Sequence, residues 1–462
     1  MPLQPASDRV ARRVVLFIVD GLRADAAHDL AALDRLRQRG ASRVLHIGFP
    51  SVSIPQYYAA LSGVEPDLSG ARTNGFRWME WRLDTIVGRA RQAGLRVATL
   101  GPNDPWFQPG FGEQFSHAWF GDSDYDENLS RVLALSSDLT VIVHDAVDVA
   151  GHDHGFGDAY RQAARVADAA IARVASSLDL ERDVLFVTAD HGHCDAGGHG
   201  GDEPEVMAVP LVAAGAGIRP GHYGEARLVD LAPTLAALLG LPPPVTSRGL
   251  PLADMLSLST RAARRLVVES RDHRQVLDRL LGDRLAPITD RLRAEQTARL
   301  LALPLLLGAF ALILARLGVG HRELACALAY LAAFVGVFWL CGGRVSLSSP
   351  RTSGYFARIL VCAFLVAGPV YLALARRARR GSSVRGLLSR VHAPTLCTAS
   401  LAALPWLVTL AVVGVRAEVL LPAPTWTALG AWSGIPLICF APWAVVDVVA
   451  LGLATGGWRG AG

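Results

Sequence analysis

Charge-free apolar runs crowd the last third of this chain: Leu300 to Ala315, Leu324 to Gly343, Ile359 to Ala375, Ala393 to Val415 and Val419 to Val446. Crossing a bilayer as a helix takes roughly 20 mostly apolar residues. Four of the runs reach or approach that length, and the first does so if its flanking arginines extend toward the interface. So many runs in one segment argue against a buried bundle in a soluble protein. They predict an α-helical membrane domain of about five spans over residues 300–462. The 51% hydrophobic content is therefore unevenly spread, and the first 300 residues pose a separate problem.

Residues 1–255 alternate short apolar strands with helical patterns, which predicts an α/β fold with a mostly parallel central sheet flanked by helices. The strand candidates are "RVVLFIVDG", "LRVATLG", "LTVIVHD" and "DVLFVTADHG", continuous and β-branched as buried parallel strands are. Three of the four end in Asp, and in such sheets ligands bind beyond the carboxyl ends of the strands. The apolar run in "RVARRVVLFIVDG" is shorter than the roughly 7–15 residues of a signal peptide and reads as the first strand. "LVDLAPTLAALLGLPPP" reads as a helix with a Gly stop that closes the domain, and residues 256–299 as a charged helical connector. Every basic residue is arginine, and a net charge of +4 is too mild to imply a nucleic acid polymer as partner. Only Cys194 among six cysteines precedes the membrane region, so the soluble part forms no internal disulfide.

The strand-end acids have companions. "VDVAGHDHG" supplies Asp148 and His152, "TADHGHCDAGGHGG" supplies Asp190, His191 and His199, and Asp20 opens the loop after the first strand. Imidazole and carboxylate bind zinc and similar borderline metals, and two such ions can clamp the attacking and leaving oxygens of a phosphoryl transfer. Singly, Asp20 or Asp148 reads as well as a helix cap, and a lone His144 as a packed residue. The set gains weight because three separated loops, expected at one sheet edge, carry ligand-type residues beside glycine. Upstream, "PSVSIPQYYAALSGVEP" offers Ser51 and Ser53 before a helical run; taken alone, Ser53 is equally a helix N-cap or a nucleophile in the positive end of the helix dipole.

A strand ending in Asp-Gly, a Ser in a Pro-flanked helix start, a D-x-x-G-H element, then D-H-G and a later His before Gly follow one another here. This pattern resembles the alkaline phosphatase superfamily, over nearly all of residues 13–255. The resemblance implies one divalent ion held by Asp148, His152 and His199 and a second held by Asp20, Asp190 and His191 that also contacts the nucleophile oxygen of Ser53. Zinc is the expected metal, with manganese compatible with the same ligands.

Within the superfamily the nucleophile segment is most similar to the nucleotide pyrophosphatase/phosphodiesterase branch, where Ser53 takes the nucleophile position and Ser51 an earlier, non-catalytic one. Asn74, 21 positions after Ser53, falls where that branch carries an Asn that donates to a phosphoryl oxygen. Gln56 stands where the branch has Asn. A sulfatase needs Arg where this chain has Tyr57, and the phosphoglycerate mutases carry a large insertion, whereas Ser53 and Asp148 are only 95 positions apart. The implied reaction is in-line attack by Ser53 on a phosphodiester or pyrophosphate, giving a phosphoseryl intermediate released by water or an acceptor alcohol. His154 and His193 read as groups that orient ligands or as surface histidines.

The attached apolar runs point to a lipid-linked or membrane-proximal phosphodiester substrate rather than a soluble one. "RRVVLFIVDGLRADA" resembles the opening of the glycosylphosphatidylinositol ethanolamine phosphate transferases, which also follow a catalytic domain with many spans. The expected location is a bacterial inner or plasma membrane. Arginines near the span ends divide almost evenly between its two sides, and exporting some 300 residues without a recognisable signal favours a cytoplasmic catalytic domain. The competing readings are a catalytically silent membrane receptor or regulator with a phosphatase-like domain, which predicts missing ligands where none is missing, and a sulfatase-type esterase.

Overall fold

The computed structural model describes residues 8–74, 83–102, 114–121, 124–316, 319–341 and 346–348, with scattered positions between 361 and 413. It divides into two compact units, Met1–Arg284 and Leu285–Gly462.

The first unit is built on a nine-stranded sheet among the described residues. Its strands are β1 (Arg13–Val19), β2 (Ala41–His46), β3 (Val97–Gly101), β4 (His117–Phe120), β5 (Leu139–His144), β6 (Asp183–Thr188), β7 (Ala208–Gly215), β8 (Gly221–His222) and β9 (Ala226–Arg227). The order is β4-β3-β5-β1-β6-β7-β2-β8, with β9 beside β2. β1 lies between β5 and β6 and is parallel to both. Its residues from Val14 to Val19 are all buried, so both faces are covered; the unbroken apolar run in the sequence reflects this.

β7 is antiparallel to β6, and β2 is antiparallel to β7. Two reversals return β2 to the direction of β1. The chain segments that follow β1, β2, β5 and β6 therefore all leave the sheet at the same edge, which is where Asp20, Ser53, Asp148 and Asp190 lie in sequence. Register places two of these acids together: Ile18 pairs with Thr188, and Asp20 and Asp190 stand two residues beyond that pair. The Asp20 N–H donates to the His144 carbonyl at 2.9 Å, tying the loop after β1 to the end of β5.

Helices Ala31–Arg39 and Asp158–Ser176 pack together. Helix Asp158–Ser176 turns a stripe of Tyr160, Ala164, Ala167, Ile171 and Val174 inward at helical spacing. Buried Asp168 on the same helix accepts from the Ala32 N–H at 2.8 Å and the Leu33 N–H at 3.1 Å, capping a helix whose own N-cap, Leu30, offers no side-chain bond. A second group, Ser53–Ser62, Ile86–Gln92 and Leu231–Leu239, reaches β1 through Leu231–Leu239. That last helix ends at Gly240 in the left-handed conformation, as the expected Gly stop requires.

The expected connector and the first apolar run form one continuous helix, Thr260–Arg316. Among the described residues one stretch, Arg293–Leu312, is long and apolar enough to cross a membrane, with a mean hydropathy of 1.2 and none of it buried. A shorter apolar stretch, Ala327–Leu340, lies in helix His321–Leu340. The expected run at 419–446 lies outside the described residues, as do most of 359–375 and part of 393–415.

Candidate active site and metal centre

Ser53 is the first residue of the helix Ser53–Ser62, whose N-cap is Val52 with no side-chain cap bond. Ser53 is therefore not an N-cap, and its hydroxyl is free for another use. Ser53 Oγ lies 3.1 Å from His191 Nε2. Ser51 is committed elsewhere: fully buried, its Oγ donates to the Gly201 carbonyl at 2.7 Å and accepts from the Gly200 N–H at 2.8 Å. The Ser51 carbonyl accepts from His199 Nδ1 at 2.7 Å. The two serines thus have different work, Ser51 holding the loop that carries His199 and Ser53 facing the cluster of acids and imidazoles.

That cluster has two halves. In the first, His191 Nε2 lies 3.4 Å from Asp20 Oδ1 and 3.3 Å from Asp190 Oδ2. Each carboxylate has its other oxygen tied down: Tyr57 O–H donates to Asp20 Oδ2, and the Gly21 N–H donates to Asp190 Oδ1 at 3.1 Å. Asp20 Oδ1 and Asp190 Oδ2 are buried without a hydrogen-bond partner. In the second half, His152 Nε2 and His199 Nε2 are 3.0 Å apart and each is 3.5 Å from Asp148 Oδ1. The structure so brings together all six residues that the sequence singled out for metals; Asp20, Asp190 and His191 form one candidate group, while Asp148 lies within reach of both His152 with His193 and His191 with His199.

Tautomers follow from the other ring nitrogens. His191 Nδ1 faces its partner carbonyl of Gly192 at 3.2 Å and His199 Nδ1 faces that of Ser51, so both carry the proton on Nδ1 and turn an Nε2 lone pair toward the cluster. Burial lowers His191 well below the ordinary imidazole range and His199 to about 4, so both are neutral at neutral pH. Burial, followed by the charge of Asp148, pushes Asp190 up to about 7, and burial followed by the charge of Asp190 pushes Asp20 well above the carboxylate range. For Asp148 burial acts upward too, but the hydrogen bond from His193 and the neighbouring imidazoles outweigh it and hold the group low.

Two unpartnered buried carboxylate oxygens beside neutral imidazole lone pairs form a cation-shaped environment: costly empty of positive charge, and relieved by a divalent ion. The donor set, imidazole nitrogen and carboxylate oxygen, suits zinc or manganese. The residues fit such ions.

Asn74 is placed by its carbonyl side. Its Oδ1 accepts from the Ile54 N–H at 3.0 Å, one residue past Ser53, which leaves the Nδ2 hydrogens as the amide's donors. His154 is exposed and takes no part in the cluster. His144 is packed between Phe17 and Tyr125. Two glycines make room: a Cβ at Gly151 would stand 2.6 Å from the His193 ring, and Gly21, at φ +78°, would bring one within 2.8 Å of the Asp148 Cα.

Sequence reasoning missed the supports. Tyr57 entered only as an argument against a sulfatase, and Arg23 not at all, though its buried guanidinium binds Asp25 and Asp195 and donates to the His193 carbonyl at 3.3 Å. Nothing local in the sequence signals these contacts, since the partners of Arg23 in the loop after β6 lie some 170 positions away.

With this geometry in place, the chain can be set beside known proteins. The model of the type I phosphodiesterase/nucleotide pyrophosphatase family matches residues 14–204. All eight candidate residues lie within the matched segment. Curated relatives include GPI ethanolamine phosphate transferase 2 of Aspergillus fumigatus, 24% identical over 316 residues that cover 59% of this chain and 41% of that protein. Another is the catalytic subunit of human GPI ethanolamine phosphate transferase 2, 26% identical over 270 residues, covering 51% of this chain and 27% of that one. The chain thus matches about two fifths or less of the length of these relatives. Among solved structures, human ectonucleotide pyrophosphatase/phosphodiesterase 5 superposes with a TM-score of 0.47 at 12% identity, covering 53% of this chain and all of that one.

Proposed function

We propose that this protein is a two-metal phosphodiester or pyrophosphate hydrolase, or a phosphoryl-group transferase, that works through a phosphoseryl intermediate on Ser53 and acts on a lipid-linked or membrane-proximal substrate. The observation that carries the reading is the approach of Ser53 Oγ to His191 Nε2 at 3.1 Å, beside the unpartnered oxygens of Asp20 and Asp190.

Asp20, Asp190 and His191 would hold one divalent ion and Asp148, His152 and His199 the other. When bound, such ions supply the positive charge that neutralises phosphoryl oxygens and lowers the pKa of an attacking oxygen. Ser53 Oγ forms a bond to phosphorus as the bond to the leaving oxygen breaks, and the helix N-terminus behind it favours the charge that develops. Asn74, pinned to the Ile54 N–H through Oδ1, directs its Nδ2 hydrogens to a non-bridging phosphoryl oxygen. Attack on the phosphoserine by water or an acceptor alcohol then restores Ser53.

The membrane-proximal substrate is supported by the unburied stretch Arg293–Leu312, by strongly exposed Leu301, Leu305 and Leu306, and by the relatives named as GPI ethanolamine phosphate transferases. In this reading the remaining apolar runs complete a membrane domain of about five spans over residues 300–462, following a catalytic domain of residues 1–255 and the connector 256–299.

The test uses the full chain in detergent. Metal content is measured, and bis-p-nitrophenyl phosphate is compared with p-nitrophenyl phosphate and a sulfate ester, before and after chelation. The reading expects two ions per chain, preference for the diester and loss of turnover on chelation. Turnover that survives complete removal of metal, or a preference for the sulfate ester, would refute it.

A further inference from the structure

We infer that Tyr57 and His193 are positioning residues, each serving one carboxylate in one half of the site; the inference rests on the two-ion reading proposed above. A carboxylate turns easily about its last torsion, where the preference is broad. Fixing how its oxygens face an ion therefore requires a hydrogen-bond donor that holds the group.

In the first half, Asp190 is held by a main-chain group, the Gly21 N–H, rather than by a side chain. Asp20 depends on a side chain. Tyr57 O–H donates to Asp20 Oδ2 and leaves Oδ1 toward His191 Nε2. Tyr57 is the fifth residue of the nucleophile helix and 2% exposed, so the element that presents Ser53 also sets the angle of Asp20.

In the second half, His193 is fully buried. Its Nε2 lies 2.8 Å from Asp148 Oδ1, closer than His152 Nε2 at 3.5 Å, and by distance alone it qualifies as a third imidazole ligand. Hydrogen bonding excludes that role. The Gly198 N–H donates to His193 Nδ1 at 3.1 Å, so Nδ1 bears no proton and Nε2 must bear it. His193 Nε2 then donates to Asp148 Oδ1 at 2.8 Å and has no lone pair to offer an ion; Oδ1, which also lies 3.5 Å from His152 Nε2 and His199 Nε2, is fixed by that bond and keeps its second lone pair for the cluster. The niche is built for this: Gly151 lacks the Cβ that would overlap the ring, and Arg23 holds the His193 carbonyl.

A structural filler and a positioning residue differ in reach. Losing filler loosens the whole site, whereas losing an orienting bond weakens one ion and spares the other. The experiment titrates the full chain in detergent with Zn²⁺ against a chromophoric chelator, with melting of the metal-free proteins as a check on folding. Tyr57→Phe is expected to weaken one ion about 10–100-fold and leave the second within about twofold. His193→Leu should do the same to the other ion, so the double variant retains no tightly held ion. His193→Gln, which keeps an N–H donor, should recover most of the loss. Unaltered affinities in both Tyr57→Phe and His193→Leu, or equal weakening of both ions by each variant, would overturn the assignment. If His193→Leu does not fold, Tyr57→Phe decides the matter by the same criterion. A wild-type chain that takes up fewer than two ions sinks the two-ion reading and this inference with it; two ions unaffected by the variants sink the inference alone.

Discussion

Ser51 and Ser53 stand two residues apart, and their alanine variants should fail in opposite ways. Ser51→Ala removes an acceptor from the Gly200 N–H and a donor from the Gly201 carbonyl, at 2.8 and 2.7 Å, in a fully buried setting. Depriving buried backbone groups of a partner costs about 1–3 kcal/mol. For a unit of this size that is a fall in thermal midpoint of roughly 3–10 °C. Since the same loop carries His199, turnover should drop moderately and recover in part when metal is added in excess. Ser53→Ala removes one hydroxyl whose neighbour in the structure is His191 Nε2 at 3.1 Å. It should shift the midpoint by less than about 1 kcal/mol's worth, yet cut turnover by about three orders of magnitude or more, since a covalent nucleophile has no substitute. The assay pairs differential scanning fluorimetry with turnover of bis-p-nitrophenyl phosphate, and rapid-quench labelling with a radioactive phosphodiester looks for phosphoserine. A folded Ser53→Ala protein that keeps a tenth of wild-type turnover, or a Ser51→Ala protein that is fully stable and inactive, would refute the division of labour.

Three further outcomes follow from named contacts. Asn74→Asp keeps an oxygen for the Ile54 N–H but loses the amide donor, so kcat should fall about 100-fold with little change in melting. Gly151→Ala places a methyl 2.6 Å from the His193 ring; a loss of about 1–3 kcal/mol in stability is expected, together with weaker binding of one ion in the zinc titration. At the base of β6, burial alone would raise the Asp183 carboxyl, but hydrogen bonds from Arg12 and Arg13 outweigh it and hold the group well below the usual range. A depressed folded pKa means stability that is complete above the unfolded value near 4 and is lost as pH falls through the folded one. Asp183→Asn should therefore melt lower at pH 7, with the gap to wild type closing as pH drops below about 4; a gap constant with pH would count against the ion-pair account.

The four strands with unbroken apolar runs were legible because burial on both faces leaves no polar residue to interrupt them. β2 and β7 were not. β7 reads "AVPLVAAG", and a proline inside a strand argues against a central position, yet Pro210 pairs with Val44 and its carbonyl accepts from Thr188 Oγ1 at 2.8 Å. The convergence of Asp20, Asp148, His152, Asp190, His191 and His199 was legible because loop position follows from strand direction and residue type from chemistry. The supports were not, since Ser51 meets its partners 149 and 150 positions away and Tyr57 meets Asp20 across 37. A side chain whose whole task is to hold another side chain leaves no periodic mark.

The register of β1 against β6 also governs which length changes the chain can absorb. Asp20 and Asp190 face each other because each stands two residues past the pair Ile18 and Thr188. One residue inserted into either strand would carry its acid about 3.3 Å along the sheet and turn it to the opposite face. One residue inserted in the turn between Ser177 and Arg182, at the far edge, changes no such phase. Sequence drift in this domain should accordingly appear as indels at the edge away from the acids, while β1 and β6 keep their lengths to the residue.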